Sequence, residues 1–159
     1  MRIQRHAVLV GMGQIGRQVL ETLPSDWNVY VIDKNVEKLN LIEETVGGRA
    51  ITKLCEDATS RLVLKKTNLQ QASVVAVMTG NDEVNREVIS LARNEFLVEE
   101  IFTVQNDPTS DFPFDNIVKL NANDLLANRL ANQLQGGLIA TGVGLEQGEI
   151  RQVSVLNSS

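Results

Sequence analysis

The sequence predicts an α/β domain: a doubly wound parallel sheet of six strands with helices on both faces, followed by a C-terminal β-hairpin segment. Short apolar runs of strand length alternate with segments whose apolar residues recur every three or four positions, the pattern of repeated strand–helix–strand units. That pattern suits a parallel sheet covered on both faces. With 159 residues the chain is the size of one domain, long enough to bury roughly 70% of its unfolded surface without a covalent staple.

The first strand is Ala7 to Val10, and a helix from about Met12 to Leu23 follows, with Ile15, Val19, Leu20 and Leu23 as its apolar stripe and Pro24 as its stop. "NVYVI" from Asn28 is the second strand. Asn35 is a capping residue for a helix carrying Val36, Leu39, Ile42 and Val46, which ends at Gly47-Gly48, where a left-handed C-terminal turn costs little. "RAITKL" from Arg49 is the third strand, and "ATSRLVLKK" after it reads as a short helix or turn. "SVVAVM" from Ser73 is the fourth, with Val84, Val88, Leu91 and Ala92 forming the stripe of the next helix. "EIFTV" from Glu100 and "NIVKL" from Asn116 complete the sheet, and a helix with Leu126, Leu130 and Leu134 ends at Gly136-Gly137. These boundaries divide the chain into an α/β domain over 1–137 and a tail over 138–159, whose two β-prone runs flank "EQGE" as in a hairpin.

Composition narrows the function classes. The net charge of −5 is spread along the chain, so nucleic acid is not an expected partner. The longest uncharged apolar stretches, "ASVVAVMTG" and "GGLIATGVGL", fall short of the ~20 residues of a membrane-spanning helix, and no signal-peptide core opens the chain. A single cysteine, Cys55, excludes an internal disulfide framework and suits a reducing compartment. The expected address is the cytoplasm.

Gly11, Gly13 and Gly16 satisfy G-x-G-x-x-G between a strand and a helix. The first allows a tight turn, the second a close approach of backbone to pyrophosphate, and the third close packing of helix on strand. Phosphates then meet free N–H groups and the positive end of the helix dipole. Asp33, twenty residues after Gly13, stands where a carboxylate accepts hydrogen bonds from both hydroxyls of an adenosine ribose. The bland reading is a glycine-rich turn with a surface acid beside it. Strand, glycines, helix and acid in that order favour a nucleotide. Asp33 also argues against NADP, because a carboxylate about 4 Å from a 2′-phosphate meets roughly 4 kcal/mol of repulsion per unit charge at an effective dielectric of 20. Lys34 either softens that repulsion or is a solvated turn charge.

Hydride transfer requires a proton-moving side chain near the substrate. The only histidine, His6, precedes the first strand at the sheet edge opposite the glycines, and the only tyrosine, Tyr30, lies inside a strand; both read as packing residues. Cys55, beside Glu56 and Asp57, is poorly placed as a thiolate nucleophile. With one histidine and one cysteine, only an all-oxygen metal site is conceivable, and the acidic pairs read as solvated. A nucleotide site without catalytic equipment points to sensing.

From His6 to Gln135 the chain resembles the RCK (regulator of potassium conductance) or KTN domains, Rossmann-like cytoplasmic regulators of potassium channels and Trk/Ktr-type transporters. The matching pieces are "VLVGMGQIGRQVLETL", "VYVIDKNVEKLNLI", "EDAT", "ASVVAVMTGNDEVNREVISLAR" and "NIVKLNANDLLANRLANQL". The resemblance implies NAD or NADH, alternatively ADP or ATP, with Gly11, Gly13, Gln14, Ile15 and Gly16 on the phosphates and Asp33 on the ribose. It further implies Asp57 and Ala58 at the adenine, Thr79 and Gly80 along the crevice, no catalytic residue and no metal. Gln14 and Gln105 stand where relatives that hold a triphosphate carry cations, and Glu56 replaces a common glycine. The loss of cations favours NAD(H) or ADP over ATP. "TGNDEVN" doubles as a capped helix start, with Asn81 or Thr79 as cap and Asp82 and Glu83 in the first turn. By the same resemblance the domain pairs through its later helices into a homodimer or larger ring beneath a membrane potassium channel or transporter subunit. The tail after residue 137 resembles the start of a second, ligand-sensing subdomain. The alternatives are the cofactor half of an NAD-dependent dehydrogenase and a methyltransferase; catalytic residues beyond Ser159 would favour the first.

Overall fold

The computed structural model describes residues 4–141. In chain order these form β1 (His6–Val10), α1 (Gln14–Thr22), β2 (Asn28–Ile32), α2 (Val36–Asn40), β3 (Thr45–Val46), β4 (Arg49–Leu54), α3 (Arg61–Lys66), a 3₁₀ turn (Leu69–Gln71), β5 (Val74–Val77), α4 (Asp82–Asn94), β6 (Ile101–Gln105), β7 (Ile117–Asn121) and α5 (Ala122–Thr141). The sheet order is β3-β4-β2-β1-β5-β6-β7. All neighbours pair in parallel except β3, which runs antiparallel to β4. The chain thus works outward from β1 to one side and then crosses back to the other, the doubly wound arrangement expected.

The central strands β1 and β5 are buried along their whole length. One face packs Val8, Val10, Val75 and Val77 against Val63 and Leu64 of α3 and Val88, Ile89 and Ala92 of α4. The other packs Ala7, Leu9, Val29 and Val31 against Leu20 of α1 and Leu39 of α2. The apolar runs are continuous because alternate residues of one strand serve both cores.

Among the described residues the sheet has seven strands rather than six. The extra one is short, and it replaces the end of the second expected helix: α2 stops at Asn40, and Thr45–Val46 turn back on Ala50 and Arg49. Gly47 and Gly48 both have positive φ, +62° and +85°, as a two-residue type I′ hairpin loop demands. The glycine pair therefore makes a hairpin instead of ending a helix, with Ile42 buried in the core beneath. The "RLVLKK" stretch is a short helix, α3.

Between β6 and β7 residues 106–116 contain no helix. Phe112 is buried in the α4-side core and Phe114 packs against it, so two aromatic rings do what a crossover helix does elsewhere in such sheets. Among the described residues, those up to Ala122 form one compact unit and those from Asn123 on a second. Of the latter, α5 runs through Gly136 and Gly137 to Thr141 instead of ending at the glycines; each glycine costs a helix roughly 1 kcal/mol relative to alanine, which weakens it without stopping it. Leu126, Leu130 and Leu134 on α5 are each half or more exposed. Positions 138–141 of the expected hairpin tail are helical, and the rest of it lies outside the described residues.

Candidate functional site

The winding direction reverses between β1 and β5, so the carboxyl ends of β1, β2, β4 and β5 border a crevice. Gly11 ends β1 with φ +93°, and a Cβ there would stand 2.7 Å from the Met78 carbonyl carbon and the Thr79 amide nitrogen. Its own N–H donates to the Ile32 carbonyl at 2.9 Å, tying β1 to β2 at the rim. Gly16 is closed differently: a Cβ would come within 2.1 Å of the Gly11 carbonyl oxygen, so the absent side chain lets α1 lie against the strand end. At Gly13 an added Cβ meets nothing within 4 Å.

That open space lies in front of the first turn of α1. Gly13 is the N-cap residue, supplies no side-chain hydrogen bond, and no acidic residue occupies the turn. The first N–H groups of a helix have no partner within it, and here no cap answers them. Gln14 is exposed and Ile15 half-buried on this turn. The neighbouring α2 and α4 are sealed: Asn35 accepts from the Glu37 and Lys38 amides and Asn81 from the Glu83 and Val84 amides.

Asp33 follows β2 and is fixed from two sides. Its Oδ2 accepts the Met12 amide at 2.7 Å and its Oδ1 the Asn35 amide at 2.8 Å. The carboxylate is therefore tied to the glycine loop itself. Each oxygen retains acceptor capacity after one bond, and Asp33 lines the cavity at the crevice.

That cavity measures about 90 Å³ and is lined by Val10, Gly11, Ile32, Asp33, Lys34, Glu56, Asp57, Ala58, Thr79 and Val84. It brings together Gly11, Asp33, Lys34, Asp57, Ala58 and Thr79 of the residues singled out in the sequence. Gly13, Gln14, Ile15 and Gly16 belong to the adjoining helix start, and Gly80 is an exposed rim residue with open space before it. Asp57 accepts the Thr59 amide and hydroxyl at 2.9 and 2.7 Å; these bonds, helped by the nearby Lys34 charge and opposed by slight burial, hold its carboxyl below the ordinary range. Glu56 turns both oxygens to Lys66 Nζ, each at 2.7 Å. The cavity's lining is thus acidic, with Lys34 its one basic member.

Sequence reasoning missed three residues beneath this wall. Asn85 is fully buried, Asp82 is 9% exposed, and Asn106 opens the loop after β6. Asn85 holds Thr79 through its backbone amide, hydroxyl and carbonyl. The available signal was position: Asn85 lies three residues before Val88 and four before Ile89, on the buried side of α4, and a polar residue there needs partners.

His6 is buried at the amino ends of the strands, far around the sheet from the crevice. Its Nε2–H donates to the Thr67 carbonyl at 2.6 Å, its Nδ1 accepts the Asn28 side-chain amide at 3.0 Å, and its ring meets Tyr30 edge-on. Both aromatic residues pack, as read. Cys55 is exposed at the end of β4. Among the described residues no cluster of three or more histidine, cysteine or acidic side chains suits a metal ion, and no helix is long and apolar enough to cross a membrane.

The TrkA-N domain family model matches residues 7–125. The Trk system potassium uptake protein TrkA of Halomonas elongata is 30% identical over 81 residues, 51% of this chain and 17% of that protein. The protein of the same name from Mycobacterium tuberculosis is 27% identical over 109 residues, 68% of this chain and 48% of its own. The chain spans less than half the length of these relatives. Among solved structures, the TrkA-N domain of the Escherichia coli inner membrane protein ybaL superposes with a TM-score of 0.64 at 20% identity, over 84% of this chain and 99% of that one. The GsuK channel bound to NAD gives 0.60 at 18% identity over 73% and 21%, and GsuK bound to ADP 0.59 at 17% over 74% and 31%. At such identities the likeness is one of fold.

Proposed function

The chain belongs to the TrkA-N domain family, and on that premise we propose that it is a regulatory domain that binds NAD(H), or an adenine nucleotide such as ADP, and couples occupancy to a potassium channel or Trk-type transporter. One observation carries the reading: an uncapped helix start faced by the open space at Gly13, beside a carboxylate bonded to the Met12 amide. The pyrophosphate takes the N–H groups of α1 and the helix dipole, with Gly11, Gly13, Gln14, Ile15 and Gly16 forming the turn around it. The ribose takes Asp33, and the adenine lies toward Asp57 and Ala58, with Thr79 and Gly80 on the far side and Lys34 at the mouth.

The charges near the crevice favour the dinucleotide or diphosphate over ATP. Gln14 is uncharged, and Gln105 is occupied elsewhere, donating to the Ser110 carbonyl at 2.7 Å. Asp33 disfavours a 2′-phosphate by charge. Of the cavity's ionisable groups Asp33, Glu56 and Asp57 are engaged in hydrogen bonds that hold them in place, an arrangement suited to binding and release rather than to proton transfer. The domain's place is then the cytoplasmic face of the membrane, reached through its pore partner. The exposed Leu126, Leu130 and Leu134 of α5 support pairing with a second copy as a homodimer or larger ring.

The shift such a sensor delivers is the difference in ligand affinity between two arrangements of the assembly, about 1–3 kcal/mol for coupled sites. Calorimetric titration with NADH, NAD, ADP and ATP tests the binding, and scattering from the saturated protein tests the shape change. Asp33→Ala removes a charge-assisted contact worth about 1.5–3 kcal/mol, so affinity falls by roughly tenfold to a hundredfold. No binding heat with any of the four nucleotides overturns the reading; binding with no change in shape or mass removes the coupling.

A further inference from the structure

We infer that the hollow between α1 and the segment joining α2 to β3 is a second small-molecule site, suited to an apolar α-amino acid in its zwitterionic form. It shares no lining residue with the cavity at the crevice, and it does not rest on the nucleotide reading.

The hollow measures about 300 Å³, against about 90 Å³ for the cavity at the crevice. It thus reaches the lower end of the volumes, roughly 300–1,000 Å³, of sites that hold small molecules. Arg17, Leu20 and Glu21 of α1 line one side, and Ile42, Glu43 and Val46 of the segment after α2 line the other. Leu20 and Ile42 are buried in the core and Val46 is half-buried, so the floor is apolar. Glu21 and Glu43 are exposed and Arg17 is half-buried, so the charges stand around that floor.

These three charges are left over by the fold. The Nε of Arg17 is enclosed and has no hydrogen-bond partner, a costly state for a polar group. Glu21 stands four residues further along α1, the spacing at which opposite charges pair on a helix. Among the described residues, however, neither these two nor Glu43 form an ion pair. The neighbouring cations are committed to the walls. Lys53 Nζ donates to the Ile42 carbonyl and to Glu44, and the Arg49 guanidinium donates to the carbonyls of Leu20, Leu23 and Pro24 at 2.9, 3.2 and 2.7 Å. Together they fasten the end of α1 and the segment after α2, so the hollow has firm sides and unanswered charges.

The charge pattern selects the ligand. A simple anion meets Glu21 and Glu43, a simple cation meets Arg17, and an uncharged apolar molecule leaves all three unanswered. An α-amino acid with an apolar side chain answers them together. Its carboxylate takes the Arg17 guanidinium, a charge-assisted contact; its ammonium donates to the two glutamates; its side chain lies on Leu20, Ile42 and Val46.

L-Leucine is the probe, titrated into the purified chain without nucleotide and followed by backbone amide shifts in nuclear magnetic resonance. It should bind with a Kd of about 1 mM or lower and shift the amides of Glu21 and Glu43. Two analogues each lack one charge: 3-methylbutylamine has no carboxylate and 4-methylpentanoate no ammonium. Each should bind about tenfold more weakly than leucine, as the loss of a charge-assisted contact requires. Arg17→Gln should weaken leucine and 4-methylpentanoate but not 3-methylbutylamine. The paired Glu21→Gln and Glu43→Gln variant should weaken leucine and 3-methylbutylamine but not 4-methylpentanoate. Both glutamates are exposed, so this variant carries the test alone should Arg17→Gln fail to fold.

Leucine that shifts no amide around the hollow up to about 10 mM overturns the inference. So do analogues that bind as tightly as leucine, and variants that weaken all three ligands equally or none of them. Each of these results leaves the nucleotide reading untouched, because no nucleotide is present.

Discussion

Helices α1 and α4 both begin at the carboxyl edge of the sheet, yet their first turns are finished in opposite ways. At α4, Asn81 caps two amides and Asp82 and Asn85 bind the strands and loop around them. At α1, Gly13 offers no side chain, no acid stands in the first turn, and the space before it is open. The two starts share topology, sheet and dipole. The difference lies in which donors the chain itself satisfies, and the proposed ligand site is where it leaves them without a side-chain cap. α4 supplies the rigid wall; α1 supplies the unmet N–H groups.

The largest expected effect breaks the seating of α1. Gly16→Ala places a methyl 2.1 Å from the Gly11 carbonyl oxygen, a backbone contact that yields only by moving the helix. Overpacking of this kind costs about 3 kcal/mol. Urea unfolding should show that loss, whereas a change below 1 kcal/mol would mean that α1 does not lie so close.

Gly13→Asp converts the open start into a sealed one. The residue already has extended backbone geometry, φ −74° and ψ −160°, which suits an N-cap. The new carboxylate caps the helix and meets its dipole, a gain of roughly 0.5–1 kcal/mol. It also occupies the position proposed for the pyrophosphate, so NADH binding should fall about tenfold or more while thermal stability rises. Both quantities moving in the same direction would break the contrast between the two helices.

The smallest effect concerns pH at the sealed start. Burial works against ionisation of Asp82, and the amides of Asn106 and Asp107 more than offset it, leaving the folded carboxyl below its ordinary value of 3.8. The unfolded state then binds the proton first as pH falls. The stabilisation is complete above 3.8 and is lost as pH drops through the lower folded value. Acid unfolding of Asp82→Asn should lack that part of the decline. Parallel curves for the two proteins would show that Asp82 carries no such linkage.

Much of this contrast was legible in residue order. The three glycines, the acid twenty residues after Gly13 and the alternation of apolar runs with helical stripes led to the right sheet and to the cavity that joins Gly11, Asp33, Asp57, Ala58 and Thr79. What escaped was what depends on three dimensions. Val36, Leu39, Ile42 and Val46 fit a helical period, so the glycine pair after them passed for a helix end, although both glycines take the left-handed region that a hairpin needs. Leu126, Leu130 and Leu134 show a stripe without showing what it meets. Asn85 looked like one polar residue of a helix, because its burial becomes apparent only when β6 is laid beside β5 and Val104 and Thr79 come within its reach.

The central claim is that unmet amides at the start of α1 and the fixed carboxylate after β2 hold the two ends of an adenosine diphosphate group. A crystal structure of the protein with NADH tests this most directly. The account predicts pyrophosphate oxygens within hydrogen-bond distance of the Gln14 and Ile15 amides and both hydroxyls of the adenosine ribose on Asp33. Density for the ligand elsewhere on the sheet, with Asp33 still bonded only to Met12 and Asn35, would contradict it.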